Sequence, residues 1–160
     1  MADISREEVQ EVVFQLNDQT YGIDISVVME IIRMEQITKL PRTPDFIEGI
    51  INLRGQVIPV IDLCKRFGLV CNEVTAQSRI IIVQVNDLTF GMIVDSVQEV
   101  LRIATSNIEP PPPVVGGIDA AYLRGIALLG ERLVILLDHT KILYQHETEQ
   151  LQQVEMELNQ

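Results

Sequence analysis

Tryptophan is absent from this 160-residue chain, and aromatic residues of every kind make up only 4% of it. The apolar content, 47% of the residues, is therefore aliphatic. Valine and isoleucine dominate it, and β-branched side chains fit pleated surfaces, so the composition points to a β-rich fold. That much apolar surface also excludes a disordered chain. Basic residues are scarce as well: 12 lysines and arginines stand against 23 acids, for a net charge of −11. DNA and anionic lipid both need basic patches to neutralise phosphate, so neither is expected as a partner. No apolar run approaches the roughly 18 residues of a membrane span, and Met1-Ala2-Asp3-Ile4 opens no signal peptide. A cytosolic protein without membrane insertion is expected. Only two cysteines occur, Cys64 and Cys71. In a reducing compartment they are expected to be separate thiols. No CxxC spacing or nearby histidine completes a ligand set around them, so neither a metal nor any other cofactor is expected.

What the chain does contain is one motif written twice. Phe14-Gln15-Leu16-Asn17-Asp18-Gln19-Thr20-Tyr21-Gly22 aligns with Val83-Gln84-Val85-Asn86-Asp87-Leu88-Thr89-Phe90-Gly91 at a shift of 69 residues, from Phe14 to Val83. The register continues through Glu30/Glu99 and Arg33/Arg102. Each copy reads as an alternating strand, an Asn-Asp turn, and a second strand entered through an aromatic-Gly pair. Val27, Val28, Ile31 and Ile32 then fall at helical spacing, as do Val97, Val100 and Leu101, which predicts one or two helical turns in each copy. Further on, Gly49-Ile50-Ile51-Asn52-Leu53 matches Gly125-Ile126-Ala127-Leu128-Leu129, shifted by 76 residues. Each is followed by an apolar strand ending in an acid, Asp62 or Asp138. The extra length sits in Pro110-Pro111-Pro112-Pro113-Val114-Val115-Gly116-Gly117, a connector whose prolines favour polyproline II and whose glycines release it.

About five short strands per unit is the content of a small SH3-like or OB-like barrel. One such barrel is marginal alone, and two packed together can share a third apolar layer. The predicted architecture is mostly β: a tandem of two pseudo-symmetric five-stranded barrels, the first over about 11–78 and the second over about 79–144. Asp62 reads as an N-cap for a short helix stopped by Gly68, and Asp138 as its counterpart before His139–Tyr144. Residues 145–160 read as a polar C-terminal helix carrying Leu151, Val154 and Leu158 as a narrow apolar stripe.

Several stretches resemble the chemotaxis coupling protein (CheW) family in register. They are Tyr21-Gly22-Ile23-Asp24-Ile25, Val28-Met29-Glu30-Ile31, and Ile47 to Gly55 followed by Val57-Ile58-Pro59-Val60-Ile61-Asp62-Leu63. Gly91 to Val97 and Tyr122 to Ile126 extend the match over roughly residues 11–144. The most specific element is Asn52-Leu53-Arg54-Gly55 with the Val57-x-Pro59-Val60-x-Asp62-Leu63 that follows. The resemblance implies two five-stranded barrels, open to exchange of strands between them, with no catalytic activity. It implies an adaptor bridging the cytoplasmic tip of methyl-accepting chemoreceptors and the regulatory domain of a CheA-type histidine kinase. With no nucleotide-binding motif and 160 residues, a stand-alone adaptor is the expected form.

Comparison of the two copies separates scaffold from residues free for function. Gly49/Gly125 and Asp62/Asp138 are shared and read as structural. Arg54 has Gly130 as its counterpart, so the fold does not demand its side chain, and the resemblance links this arginine to receptor and kinase coupling. Val28 and Glu30 are the other partner-binding candidates that the resemblance implies, at the surface engaging the receptor. By spacing Val28 suits core packing, and Glu30, which aligns with Glu99, suits a structural acid paired with an arginine. His139 and His146 complete no catalytic constellation. A scaffold in a non-flagellar receptor–kinase pathway is the alternative function. From another class, an aspartic-type hydrolase using Asp62 and Asp138 lacks the glycine turns such a dyad uses.

Overall fold

The computed structural model describes residues 7–115 and 117–159, with the side chains of Gln145, His146, Val154 and Glu155 outside that description. The readings of Gly116, His146 and Val154 therefore lie outside the described residues. The first repeat contributes strands β1 (Glu8–Leu16), β2 (Gln19–Asp24), β3 (Val28–Arg33), β4 (Ile47–Leu53) and β5 (Gln56–Asp62). The second contributes β6 (Arg79–Val85), β7 (Leu88–Val94), β8 (Ser96–Ala104), β9 (Ile108–Glu109), the small hairpin β10 (Val114–Val115) and β11 (Ile118–Asp119), then β12 (Leu123–Leu129) and β13 (Arg132–Leu137). Helix α1 (Leu63–Arg66) follows β5, and helix α2 (Gln145–Leu158) ends the chain. The chain is mostly β, in two principal sheets.

Both first hairpins close through the two-residue turns expected from Asn-Asp. Leu16 faces Gln19 and Val85 faces Leu88. Asn17, Asp18 and Asn86 take the left-handed φ values of 52°, 63° and 55° that such turns require and asparagine tolerates.

The sheets do not follow the halves 11–78 and 79–144. One sheet runs β8-β1-β2-β13-β12-β9, and the other runs β3-β6-β7-β5-β4. Each first hairpin is thus inserted among strands of the opposite half. The insertion has the same register in both: Tyr21 and Gly22 run parallel to Ile135 and Leu136, as Gly91 and Met92 run parallel to Val60 and Ile61. Each sheet is then closed by a short return, Thr38 against Ile50 in one and β9 against β12 in the other. Gly49 and Gly125 lie where those returns cross. A Cβ on Gly49 would come within 2.1 Å of the Thr38 carbonyl oxygen, and one on Gly125 within 2.9 Å of the Glu109 carbonyl oxygen.

The exchange explains why apolar runs are continuous rather than alternating. Ile80 and Ile82 point into one barrel with Ile51, Ile58 and Val60, while Ile81 and Val83 join a layer shared by both barrels. Val134 and Leu136 fill the other barrel, and Ile135 and Leu137 join the shared layer. Strands buried on both faces lose the polar alternation of a half-exposed sheet.

The helical turns expected at Val27–Ile32 and Val97–Leu101 are not present. Only Ile25–Val27 forms a single 3-10 turn, and the rest is strand. Strands β3 and β8 end their sheets, and both carry apolar side chains on the outer face. Met29 is 58% exposed and Val100 50%. Outward and inward apolar residues together imitate a 3.6-residue period, and the bulge between Val28 and Glu30 shifts the phase further.

The capping expectations hold. Asp62 accepts from the Lys65 amide at the start of α1, Gly68 ends that turn at φ 72°, and Asp138 accepts from the Thr140 amide. In α2, Leu151 is buried in the shared layer while Leu158 is exposed. Among the described residues, no helix is long and apolar enough to cross a membrane.

Candidate functional site

The β4–β5 hairpin turns on Arg54 and Gly55, with Leu53 facing Gln56. Both turn residues are left-handed, Arg54 at φ 52° and Gly55 at 87°. Gly130 takes φ 66° at the equivalent turn between β12 and β13. The repeat comparison therefore located the turn, and it also shows Arg54 in a backbone conformation that glycine adopts at no steric cost.

From this turn the Arg54 guanidinium reaches the Glu30 carboxylate on β3 at 2.5 Å. Two of the three candidate residues are thus one ion pair on an exposed rim. The pairing recurs in the other barrel, where Glu99 on β8 meets Arg132 at 3.1 Å. The acid is equivalent in the two copies, but its arginine comes from the turn in one and from the first residue of β13 in the other. Glu30 is accordingly both the paired acid expected from the repeat and a rim residue at the tip of the β4–β5 hairpin. On the same strand, Met29 and Ile31 present apolar side chains outward. Val28 is half-buried, pairs with Val83 and packs against the shared core layer, so its side chain divides between core and surface.

Two further charge clusters are buried, and the sequence reading did not find them. Glu11, fully buried on β1, accepts a hydrogen bond from Arg124 at 2.5 Å, and Asp24 stands 4.0 Å from the same guanidinium. Burial pushes the Glu11 carboxyl up to about 7 despite the opposing pull of Arg124. Burial also acts to raise Asp24, but hydrogen bonds from Ser26 and the charge of Arg124 outweigh it and hold this carboxyl below its usual value. Glu11 interrupts an apolar alternation between Val9 and Val13, which is the signal that could have revealed it.

The second cluster fastens α2. Arg66 on α1 makes a two-pronged contact with Glu147, both at 3.0 Å, and donates through Nε to the Ile142 carbonyl at 2.7 Å. Its guanidinium carbon lies 4.5 Å from the ring centres of Phe46 and Tyr144 and 5.5 Å from that of Tyr122. Glu147 in turn accepts from the Tyr144 amide at 2.7 Å, capping the helix start. At the far end, the Asn159 amide group pairs with both the N–H and the carbonyl of Val57 on β5, at 2.8 and 3.0 Å.

Cys64 and Cys71 are both free thiols. Cys64 is buried beside α1, and burial pushes its thiol well above the usual range, with Cys71 adding to the effect. One donor atom from each cysteine and one carboxylate oxygen of Asp62 lie within 4.8 Å of one another. The spacing of cysteine and histidine along the chain does not count Asp62, and Cys71 reaches Asp62 and Cys64 only through the fold. As for the other acid, Asp138 bonds the Thr140 hydroxyl at 2.5 Å and the Thr140 amide, not its neighbour His139. Asp62 and Asp138 each cap their own turn.

These features define a class: paired SH3-like barrels that exchange their first hairpins and carry a charged rim at a hairpin tip. The model of the CheW-like domain matches residues 10–147. The chain belongs to the CheW family. It is 36% identical over 154 residues to a chemotaxis protein CheW of Treponema pallidum, an alignment covering 92% of this chain and 89% of that one. It is 37% identical over 135 residues to a chemotaxis protein CheW of Klebsiella aerogenes, covering 84% and 81%. Among solved structures, the scaffolding protein TtCheW of Thermoanaerobacter tengcongensis is similar at a TM-score of 0.76 and 49% identity, over 81% of this chain and 84% of that one.

Proposed function

We propose that this protein is a non-catalytic adaptor that couples the cytoplasmic tip of chemoreceptors to the regulatory domain of a CheA-type histidine kinase. The observation that carries this reading is the rim at the β4–β5 tip. There the Arg54–Glu30 pair stands exposed beside the outward apolar side chains of Met29 and Ile31. A planar five-donor guanidinium next to aliphatic surface suits a protein contact that is specific as well as desolvated. Family membership supports it too, since relatives of this length are named chemotaxis proteins and one is described as a scaffolding protein. In this role Arg54, Glu30 and the exposed part of Val28 contact partner protein, and no step of chemistry is assigned to any residue.

The test is a reconstituted phosphorylation assay containing receptor, kinase and this chain. Arg54→Ala is expected to retain the wild-type melting temperature and fail to couple the receptor to the kinase. A desolvated guanidinium at a working contact costs on the order of 1–3 kcal/mol when removed. If Arg54→Ala activates the kinase as wild type does, the rim is ordinary solvated surface and the reading falls.

A further inference from the structure

Asp62, Cys64 and Cys71 take no part in the rim and have no role in the reading above. Asp62 ends β5 and caps α1, Cys64 is the second residue of α1, and Gly68 turns the chain back so that Leu69 donates its amide to the Cys64 carbonyl at 3.1 Å. That turn returns Cys71 to the same place. Cys64 is 4% exposed and belongs to the shared core, whereas Cys71 and Asp62 are half-buried. The cluster therefore has a dry wall and an open side.

We propose that Asp62, Cys64 and Cys71 form a site for one thiophilic divalent cation, Zn²⁺ in the first instance, with water in the fourth position. In a tetrahedral zinc site with sulfur at about 2.3 Å and oxygen at about 2.0–2.2 Å, neighbouring donors stand roughly 3.5–3.8 Å apart. Donor atoms that already lie within 4.8 Å of one another need a contraction of only about 1 Å, within reach of side-chain rotation. Two thiolates and a carboxylate match a borderline-soft ion. One Asp62 oxygen caps the Lys65 amide, and the carboxylate places one of its oxygens within reach of both sulfurs. Binding releases the two thiol protons to solvent, so the cation replaces equal charge.

A second observation points to the same place. The Tyr21 hydroxyl is fully buried and has no hydrogen-bond partner among the described residues. The Cys64 sulfur is close enough to act on it electrostatically. An orphaned buried hydroxyl is costly, and a neutral thiol is a poor acceptor for it. A thiolate held by a cation would present more negative charge toward this hydroxyl than the thiol does, although no hydrogen bond joins the two in this structure. Asp95, which is also within electrostatic range of Cys64, adds negative potential.

The experiment uses the full chain, reduced and stripped with chelator, titrated with Co²⁺ and then with Zn²⁺. One Co²⁺ per chain is expected, with a near-ultraviolet sulfur-to-cobalt charge-transfer band that Zn²⁺ abolishes. Cys71→Ser, at a half-buried position, should remove the band while melting like wild type without metal. Asp62→Asn keeps a capping oxygen, so it should fold, and should bind at least about tenfold more weakly, the scale seen when a supporting group is lost. Zn²⁺ should raise the melting temperature of wild type, that of Asp62→Asn less, and that of Cys71→Ser not at all. Absence of the band, a band that survives Cys71→Ser, or a Cys64–Cys71 disulfide in place of metal binding would each overturn the assignment.

Discussion

Arg54 and Glu30 meet at 2.5 Å across the rim of one barrel, and the equivalent acid of the other barrel, Glu99, meets Arg132 at 3.1 Å. The first pair is the more exposed at its arginine, whose side chain is 72% accessible. Exposed pairs contribute about 0–1 kcal/mol, so stability does not account for a charged residue held at φ 52°.

From that follows the first prediction. Arg54→Ala should change unfolding free energy by no more than about 0.5 kcal/mol. Arg54→Gly should be no less stable than Arg54→Ala, because glycine removes the left-handed strain as it loosens the unfolded chain. A double-mutant cycle with Glu30→Gln should give a coupling under about 1 kcal/mol. Denaturant unfolding measures all three. A loss near 2 kcal/mol in Arg54→Ala would make the pair structural.

Gly49 is the opposite case. Its φ is 145°, and an added Cβ would meet the Thr38 carbonyl oxygen at 2.1 Å, a backbone atom that cannot swing aside. Gly49→Ala should cost about 3 kcal/mol or more, combining overpacking with backbone strain. Gly125→Ala should cost less, since its backbone obstacle, the Glu109 carbonyl oxygen, stands at 2.9 Å rather than 2.1 Å, its nearest contact is the Ile108 side chain at 2.7 Å, and its φ is not left-handed. Melting temperatures of the two variants in parallel test the order.

Local chemistry made much of this fold legible from the sequence. Asn-Asp turns, aspartate caps and the paired glycines are short-range signals, and two copies of each fixed the register of the repeat. Which strands exchange was not legible from the residues themselves, because the pairing of Tyr21 with Ile135 is decided by burial between distant segments rather than by anything near either residue. The same limit applies to the rim. Comparing Arg54 with Gly130 located the turn, but the partner of Arg54 lies on β3, and β3 itself read as helical because its outer face is apolar. Glu147 carried no signal at all, since an acid in a polar helix is ordinary until Arg66 is folded beneath it.

That Arg66–Glu147 contact is expected to decide whether α2 stays docked. Both side chains are under a tenth exposed, and removing one partner strands the other charge. Arg66→Ala and Glu147→Ala should each cost about 3–5 kcal/mol. Hydrogen exchange should show α2 opening first in both variants, with the barrels protected. If Arg66→Met, which keeps the stem against Phe46 and Tyr144, matches wild-type stability, packing and not charge holds the helix.

Glu11 should make folding sensitive to pH in a direction unusual for a carboxylate. Its folded pKa is raised to about 7 from an ordinary 4.5, chiefly by burial, so the folded state binds a proton more tightly than the unfolded chain. Stability then falls as pH rises through the window from 4.5 to 7 and levels off above it. One group losing its proton costs at most about 1.4 kcal/mol for each pH step of one across that window. The Arg124 contact, charge-assisted once Glu11 ionises, is already counted in the folded pKa of about 7 and keeps it from rising further. A net decline on the order of 1–3 kcal/mol is expected from one end of the window to the other. Other groups titrate there too, so the informative quantity is the difference from Glu11→Gln, which keeps an acceptor for Arg124 but has no proton to lose. Unfolding free energies of both proteins between about pH 4.5 and 8 should diverge, with wild type losing ground relative to the variant as pH rises. Parallel curves would mean that Glu11 is ionised throughout, held by Arg124 against the cost of burial.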